Sequence, residues 1–272
     1  MTTVCEITAP PDRTYKGYIF DLDGTIYLGS HLLPGAREVV LGLRERGSRV
    51  LFVTNNPTRD PQMYARKLTD LGITTDPADV VNTVVTMTTW LVAQPTGTTA
   101  FVMGEEPLLR SVAGAGVPLS EAPDEIDVVV ASYDRTFDYR KLQIAFDALT
   151  RPEPARLVTT NPDVYCPFPG GRGEPDAGAI VAAIEACTGQ RCSVNTGKPD
   201  RIMLETAMGL LNLDAQDCLM VGDRLSTDIA MAVSAGMDSA LVLTGEATLE
   251  AARSAREDQR PAFVLDRIDQ LL

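Results

Sequence analysis

The sequence predicts an α/β fold, a doubly wound, Rossmann-like parallel-sheet core with a second α/β domain inserted into it. Three observations carry this reading. Short apolar runs alternate with helix-period segments in the N-terminal third, and the same order returns in the C-terminal third. The stretch between them has a different texture, with short apolar runs separated by long segments rich in Pro, Gly and acidic residues. On this reading residues 1–82 and 178–272 form one discontinuous core, and residues 83–177 form the inserted domain.

The elements follow in order. Tyr18-Ile19-Phe20 is a buried strand that ends at Asp21. Pro34 to Arg46 carries apolar residues at helical spacing, with Pro in the first turn and Gly47 past the end. Val50 to Val53 is a second strand, ending at Thr54. Asp60-Pro61 opens the next helix, with Asp as cap and Pro at the first position, and it closes near Leu71-Gly72. Three central runs, at Phe101, Val128 and Leu157, read as strands of the insert. After Lys198-Pro199 comes an amphipathic helix to about Leu211. A strand from Cys218 to Val221, a helix from Leu225 to Ala235 stopped by Gly236, and strands at Ser239–Leu243 and Ala262–Leu265 complete the order.

Composition narrows the function. The 272 residues hold 24 Lys and Arg against 37 Asp and Glu, a formal charge of -13. Such a chain repels phosphate backbones, so nucleic acid is not an expected partner. No apolar run is long enough for a membrane span, and the N-terminus lacks the basic start and apolar centre of a signal peptide. The five cysteines, Cys5, Cys166, Cys187, Cys192 and Cys218, are odd in number and lack zinc-site spacing. A cytoplasmic protein with reduced, packing cysteines is expected. The single histidine, His31, follows Gly29-Ser30 and reads as an exposed loop residue, which leaves little room for histidine-based catalysis.

The chemistry-bearing residues sit where strands end. Asp21-Leu22-Asp23-Gly24-Thr25 follows the first strand, and ligands of open parallel sheets bind at carboxyl ends. Two carboxylates there repel each other, and a hard divalent cation such as Mg²⁺ relieves that repulsion. A carboxylate can also serve as a nucleophile, and a second one beside it as general acid and base. The same string is good turn chemistry, so alone it leaves a solvated acidic turn open. Thr54-Asn55-Asn56 offers a hydroxyl and backbone amides for phosphate oxygens, though an Asn-Pro turn reads equally well. Lys198 is one cation beside a strand end, and by itself it reads as a surface lysine. Gly222-Asp223 ends another strand, with Asp228 in the first turn of the following helix. Four strand-end motifs that each supply a part for handling phosphate are far more specific than any one of them.

At these residues the chain resembles phosphatases of the haloacid dehalogenase superfamily. More narrowly, it resembles the NagD-like or p-nitrophenyl phosphatase branch, which carries a C2-type α/β cap between the second and third motifs. D-L-D-G-T-I-Y, T-N-N, T-N-P-D at 160–163, G-K-P at 197–199 and G-D-R-x-x-T-D occur in that branch's order over nearly the whole chain. The resemblance implies an aspartyl-phosphate mechanism. Asp21 is then the nucleophile, Asp23 the general acid and base, and Lys198 the cation that neutralises nucleophile and phosphoryl group. Thr54 and the Asn55 amide hold phosphoryl oxygens. Mg²⁺ is bound by Asp21, the Asp23 carbonyl and Asp223, with Asp228 supporting Lys198 or the metal's waters.

The implied substrate is a small phosphorylated metabolite: a sugar phosphate, phosphoglycolate, glycerol phosphate or a nucleotide. Its leaving group would meet the cap, where Asn161, Asp163, Tyr165 and Arg172 are the candidates; Tyr165 and Phe168 could equally staple a loop. Arg172 is the only cation of the 165–174 segment and could meet a second anionic group, or be solvated. Trp90, in a helical pattern with Met87 and Leu91, is expected to pack between cap and core. A homodimer through the cap is also implied by the branch. The competing readings are a phospho-receiver signalling module, which shares strand-end aspartates, a Thr and a Lys, and another reaction of the superfamily such as a phosphomutase or dehalogenase. Asp23 and the large insert argue against the receiver.

Overall fold

The computed structural model describes residues 10–168 and 171–272; Cys5 lies outside them. The first half of the chain runs β1 (Gly17–Asp21), β2 (Tyr27–Leu28), β3 (His31–Leu32), α1 (Ala36–Glu45), β4 (Arg49–Thr54), α2 (Pro61–Asp70), β5 (Val80–Asn82) and α3 (Thr83–Val92). There follow β6 (Ala100–Met103), α4 (Glu106–Gly114), β7 (Val128–Ala131), α5 (Tyr139–Thr150), β8 (Arg156–Thr159), β9 (Tyr165–Phe168), β10 (Arg172–Pro175) and α6 (Ala177–Thr188). The last elements are β11 (Val194–Asn195), α7 (Arg201–Leu211), β12 (Cys218–Gly222), α8 (Ala230–Ser234), β13 (Asp238–Val242), α9 (Leu249–Arg253) and β14 (Phe263–Leu265).

The chain divides into two compact units. One takes the N-terminal segment to Thr54, Gln62–Val81 and Lys198–Leu272; the other takes Asn55–Pro61 and Asn82–Gly197. In the first unit a six-stranded sheet has the order β14-β13-β12-β1-β4-β5. β1 pairs in parallel with both β4 and β12, with Asp21 opposite Val53 and Phe20 opposite Val221. The central strands therefore end level with one another. Alternation along β1 splits the core: Tyr18 and Phe20 pack with Phe52, Val221 and the inner faces of α1 and α2, while Ile19 packs with Leu51, Met220 and α7. Both faces are covered, as a buried parallel sheet requires.

The second unit repeats the plan on four parallel strands, β11-β8-β7-β6. Phe101, Val129 and Leu157 face α5 and α6, and Val102, Val130 and Val158 face α3 and α4.

The structure moves several sequence expectations. α6 and β11 were expected in the core, but they belong to the second unit. Ile180 and Ile184 of α6 pack on Phe101 and Val129, and Val194 of β11 pairs with Val158 of β8. Asn55–Pro61 also joins that unit. Trp90 packs, partly buried, against the core cluster of the second unit that holds Val84, Met87 and Leu91, with the Arg156 guanidinium 5.2 Å from its ring centre. The segment after Asp163 is not an open loop but an antiparallel ribbon, β9 on β10, with Tyr165 opposite Pro175 and Phe168 opposite Arg172. The helix expected from Leu225 opens with a π-type turn, Leu225–Ile229, in which the Ala230 N–H reaches back to Leu225 O. Cys166, Cys187, Cys192 and Cys218 form no disulfide, and His31 is exposed. Among the described residues no helix is long and apolar enough to cross a membrane.

Candidate active site

The level ends of β1, β4 and β12 bring Asp21, Thr54 and Asp223 to one edge of the first sheet, on either side of the central strand. This is the position at which open α/β sheets bind ligands. Asp21 and Asp223 are buried, and Asp228 is fully buried. The π-type turn has a consequence here: it aims Asp228 back over the end of β12, where one carboxylate oxygen accepts the Arg224 N–H at 3.1 Å. Any side chain at Gly222 would lie 2.3 Å from the Asp228 carboxyl carbon. Turns of this kind gather at functional sites because they re-aim a side chain that an α-helix would place elsewhere.

Lys198, three residues before α7, is 3 % exposed and not the surface lysine that its neighbours in the sequence suggest. Its Nζ donates to Asp21 Oδ1 at 2.5 Å and to Asp228 Oδ1 at 2.7 Å. One ammonium thus holds the end of β1 to the turn after β12. Carboxylate oxygens of Asp21, Asp223 and Asp228 all lie within 4.8 Å of one another. Three buried carboxylates against one ammonium leave an excess of negative charge. Burial raises the Asp21 carboxyl well above the usual range; Lys198 opposes the shift, and Asp228 and Asp223 add to it. Burial likewise pushes Asp223 up to about 7, with Asp228 adding to the effect and the Glu246 N–H opposing it. For Lys198, burial disfavours the charged form, but Asp21 and Asp228 more than offset it and hold the ammonium above its ordinary value. Such a cluster is suited to a hard divalent cation, which replaces mutual repulsion by shared coordination.

Asp23 is exposed, two residues beyond Asp21, and its side chain stands outside the three-carboxylate cluster. Thr54 is buried at the end of β4. Asn55 begins the second unit and is clamped there: its carbonyl accepts from Thr83 Oγ1 at 2.9 Å and Asn161 Nδ2 at 3.1 Å, and its Nδ2 donates to Asp163 Oδ2 at 3.0 Å. Of the four residues expected to meet the leaving group, Asn161 is fully buried and also donates to Asp176, and Asp163 is half-buried on Asn55. Tyr165 and Arg172 are exposed on the ribbon.

The sequence reading missed the turn after β13. Thr244 Oγ1 donates to Gly24 O, and the Glu246 and Ala247 N–H groups donate to Asp223 Oδ2 and Asp223 O. The only signal was a Thr-Gly pair after a strand, which is ordinary turn chemistry.

Comparison with known proteins places this geometry in a class. Residues 18–118 match a family described as haloacid dehalogenase-like hydrolase, and residues 195–271 match one described as HAD-hydrolase-like. The chain belongs to the haloacid dehalogenase-like hydrolases, and within them it is a phosphoric monoester hydrolase. It is 33% identical to an acid sugar phosphatase of Staphylococcus haemolyticus, over 92% of this chain and 93% of that one. It is 34% identical to a 5'-nucleotidase of Bacillus subtilis, over 95% and 98%.

Among solved structures, the p-nitrophenyl phosphatase of Archaeoglobus fulgidus superposes with a TM-score of 0.87 at 29% identity, covering 95% of this chain and 98% of that chain. NagD of Escherichia coli K-12 gives 0.84 at 26% identity, covering 94% and 98%. A glycerol phosphate phosphatase of Mycobacterium tuberculosis, solved with magnesium, gives 0.86 at 32% identity, covering 95% and 76%.

Proposed function

We propose that this protein is a Mg²⁺-dependent phosphatase of a small phosphorylated metabolite, working through an aspartyl-phosphate on Asp21. The observation that carries the reading is the single buried ammonium of Lys198 shared by Asp21 and Asp228 beside a third carboxylate, Asp223. The acidic cluster fits a divalent cation held by Asp21 and Asp223, with the Asp23 carbonyl as a further ligand and Asp228 beside Lys198. When bound, the cation supplies positive charge against the substrate's phosphate and orients it for in-line attack.

The chain's own groups do the rest. Asp21 forms a bond to phosphorus as the ester P–O bond breaks. Asp23, exposed and two residues along, gives the leaving oxygen its proton and then takes one from the water that hydrolyses the aspartyl-phosphate. Lys198 stays charged throughout and stabilises the negative charge spread over the phosphoryl oxygens. The Thr54 hydroxyl and the Asn55 amide hold those oxygens, and the hydrogen bonds to the Asn55 carbonyl and side chain anchor the residue that carries that amide. The second unit acts as a cap that selects the leaving group, through Tyr165 and Arg172 on its ribbon and Asn161 and Asp163 at the end of β8.

Sugar phosphates, glycerol phosphate and nucleoside monophosphates are the substrate classes to which the named relatives point. Phosphate release should be measured over a panel of these esters with 2-phosphoglycolate and p-nitrophenyl phosphate, with Mg²⁺ and with a chelator. Steady, chelator-sensitive turnover of p-nitrophenyl phosphate and strong preference for one metabolite are expected. Full activity without metal would refute the reading. So would phosphorylation without turnover, which is the behaviour of a receiver.

A further inference from the structure

The carboxylate of Asp223 is held from the far side by a turn that neither the motifs nor the proposed chemistry accounts for. Its Oδ2 accepts the Glu246 N–H at 2.7 Å, and the Asp223 carbonyl accepts the Ala247 N–H at 3.1 Å. A Cβ built on Gly245 would stand 1.9 Å from that same Oδ2, and one on Gly24 would stand 2.5 Å from it. Oδ2 therefore stands in the space that a side chain at either glycine would occupy, and the Glu246 N–H fixes it there. Gly24 has φ +91, a backbone conformation that itself favours glycine. Thr244 Oγ1 donates to Gly24 O at 2.6 Å, which ties the end of β13 to the loop that carries Asp21 and Asp23. Arg224, next to Asp223, closes the ring with an ion pair to Glu246 at 3.0 Å.

We infer that the turn Thr244–Ala247 is a positioning element for the metal site. By committing Oδ2 to a backbone N–H and walling it with glycine, the turn leaves Oδ1 to serve the acidic cluster in a single orientation. Thr244 and Gly245 are positioning residues, acting through Asp223 and Gly24. A ligand carboxylate free to rotate loses orientational freedom on binding a cation; one already fixed loses little, so the turn acts on affinity. This inference rests on the metal-site reading proposed above and names residues that reading does not use.

The test is Mn²⁺ binding to the purified, metal-free protein, measured by calorimetry together with thermal unfolding. Mn²⁺ binding by the wild type and its loss in Asp223→Ala test the metal site itself. Gly245→Ala should raise the Mn²⁺ Kd about tenfold to a hundredfold, the usual effect of disturbing a group that orients a ligand. Thr244→Val keeps the side chain's shape and removes one hydrogen bond, so it should raise the Kd about fivefold. In both variants turnover should recover as Mg²⁺ is raised, and the metal-free unfolding transition should lie above the assay temperature, which separates weakened binding from loss of folded protein. A folded Gly245→Ala variant with the wild-type Kd would overturn the inference while leaving the metal site intact. If Gly245→Ala does not fold, an unchanged Kd in Thr244→Val overturns it equally.

Discussion

At the carboxyl edge of the first sheet, Asp21 and Asp228 share one ammonium, that of Lys198, and Asp223 stands beside them as a third carboxylate. At the same edge of the second sheet Asp134 and Glu105 each have a cation of their own, and Asp163 and Asp176 accept from the side-chain amides of Asn55 and Asn161. Asp134 after β7 pairs with Lys141 at 2.6 Å and caps the Thr136 N–H, and Glu105 after β6 is bound through two nitrogens of Arg135. The remaining polar groups there bond to one another, as Thr160 does to Ser132 at 2.9 Å. The shifts in acidity differ accordingly: the Arg135 hydrogen bond lowers Glu105, whereas burial raises Asp21 and Asp223. Both sheets are doubly covered parallel sheets, so topology does not separate them. Charge matching does. A balanced edge stabilises the unit that carries it, and an edge with surplus buried negative charge is kept at a cost to stability because something binds there.

Removing Lys198 should break the contrast most severely. Lys198→Ala leaves Asp21 and Asp228 buried without a cation, so stability should fall by about 3–5 kcal/mol in metal-free protein. Turnover should fall by about 10² or more, since the phosphoryl group loses its fixed positive charge. Denaturant unfolding and steady-state kinetics on the same preparation check both.

The surplus charge predicts an opposite effect for Asp223→Asn. The folded protein holds Asp223 up at about 7, above an ordinary value of 3.8. A carboxyl raised in the folded state contributes stability that is complete below its unfolded pKa and is lost as pH rises through its folded pKa. Metal-free wild type should therefore lose stability from about pH 4 to about pH 7 through this group, and Asp223→Asn should not. The variant's Tm should exceed that of metal-free wild type at pH 8 and approach it at pH 5, while Mg²⁺ binding is lost. A lower Tm at pH 8 would mean that the cluster is not strained by charge.

On the balanced edge, Asp134→Asn should lower stability by about 2 kcal/mol, because Lys141 loses its partner and stays half-buried. Its Tm should fall at pH 8, where Asp223→Asn rises, and a rise in both would remove the distinction between the two edges. The smallest effect belongs to Arg172→Ala, an exposed residue on the ribbon. KM for 2-phosphoglycolate should rise about fivefold with p-nitrophenyl phosphate unchanged, as loss of a ground-state contact predicts. Equal effects on the two esters would leave Arg172 as solvated surface.

The first edge was legible in the sequence because its parts are local. An apolar run followed by Asp21-Leu22-Asp23, Thr54-Asn55 or Gly222-Asp223 states both the strand and what stands at its end. The second unit was less legible. Val194–Asn195 is only two residues long, and its pairing with Val158 is a long-range fact, so α6 and β11 read as the return of the core. Pro167 and three closely spaced glycines hid the β9–β10 ribbon, since Pro and Gly mark turns more often than strands. The π-type turn at Leu225 shares its composition with an α-helix; the inward pull of Lys198 on Asp228 favours it, and that pairing lies outside any local window. Gly245 escaped notice for the same reason, because its use depends on how near Asp223 comes.

The claim that Asp21 carries the phosphoryl group is tested most directly by trapping it. Wild type and Asp23→Asn, each with Mg²⁺, should be mixed with ³²P-labelled substrate, quenched in acid and treated with hydroxylamine. Acid-stable, hydroxylamine-labile label is expected on the peptide containing Asp21, more of it in Asp23→Asn, where hydrolysis of the intermediate lacks its base. No label is expected in Asp21→Asn. Label retained by folded Asp21→Asn would contradict the assignment, as would steady turnover by that variant at wild-type rates.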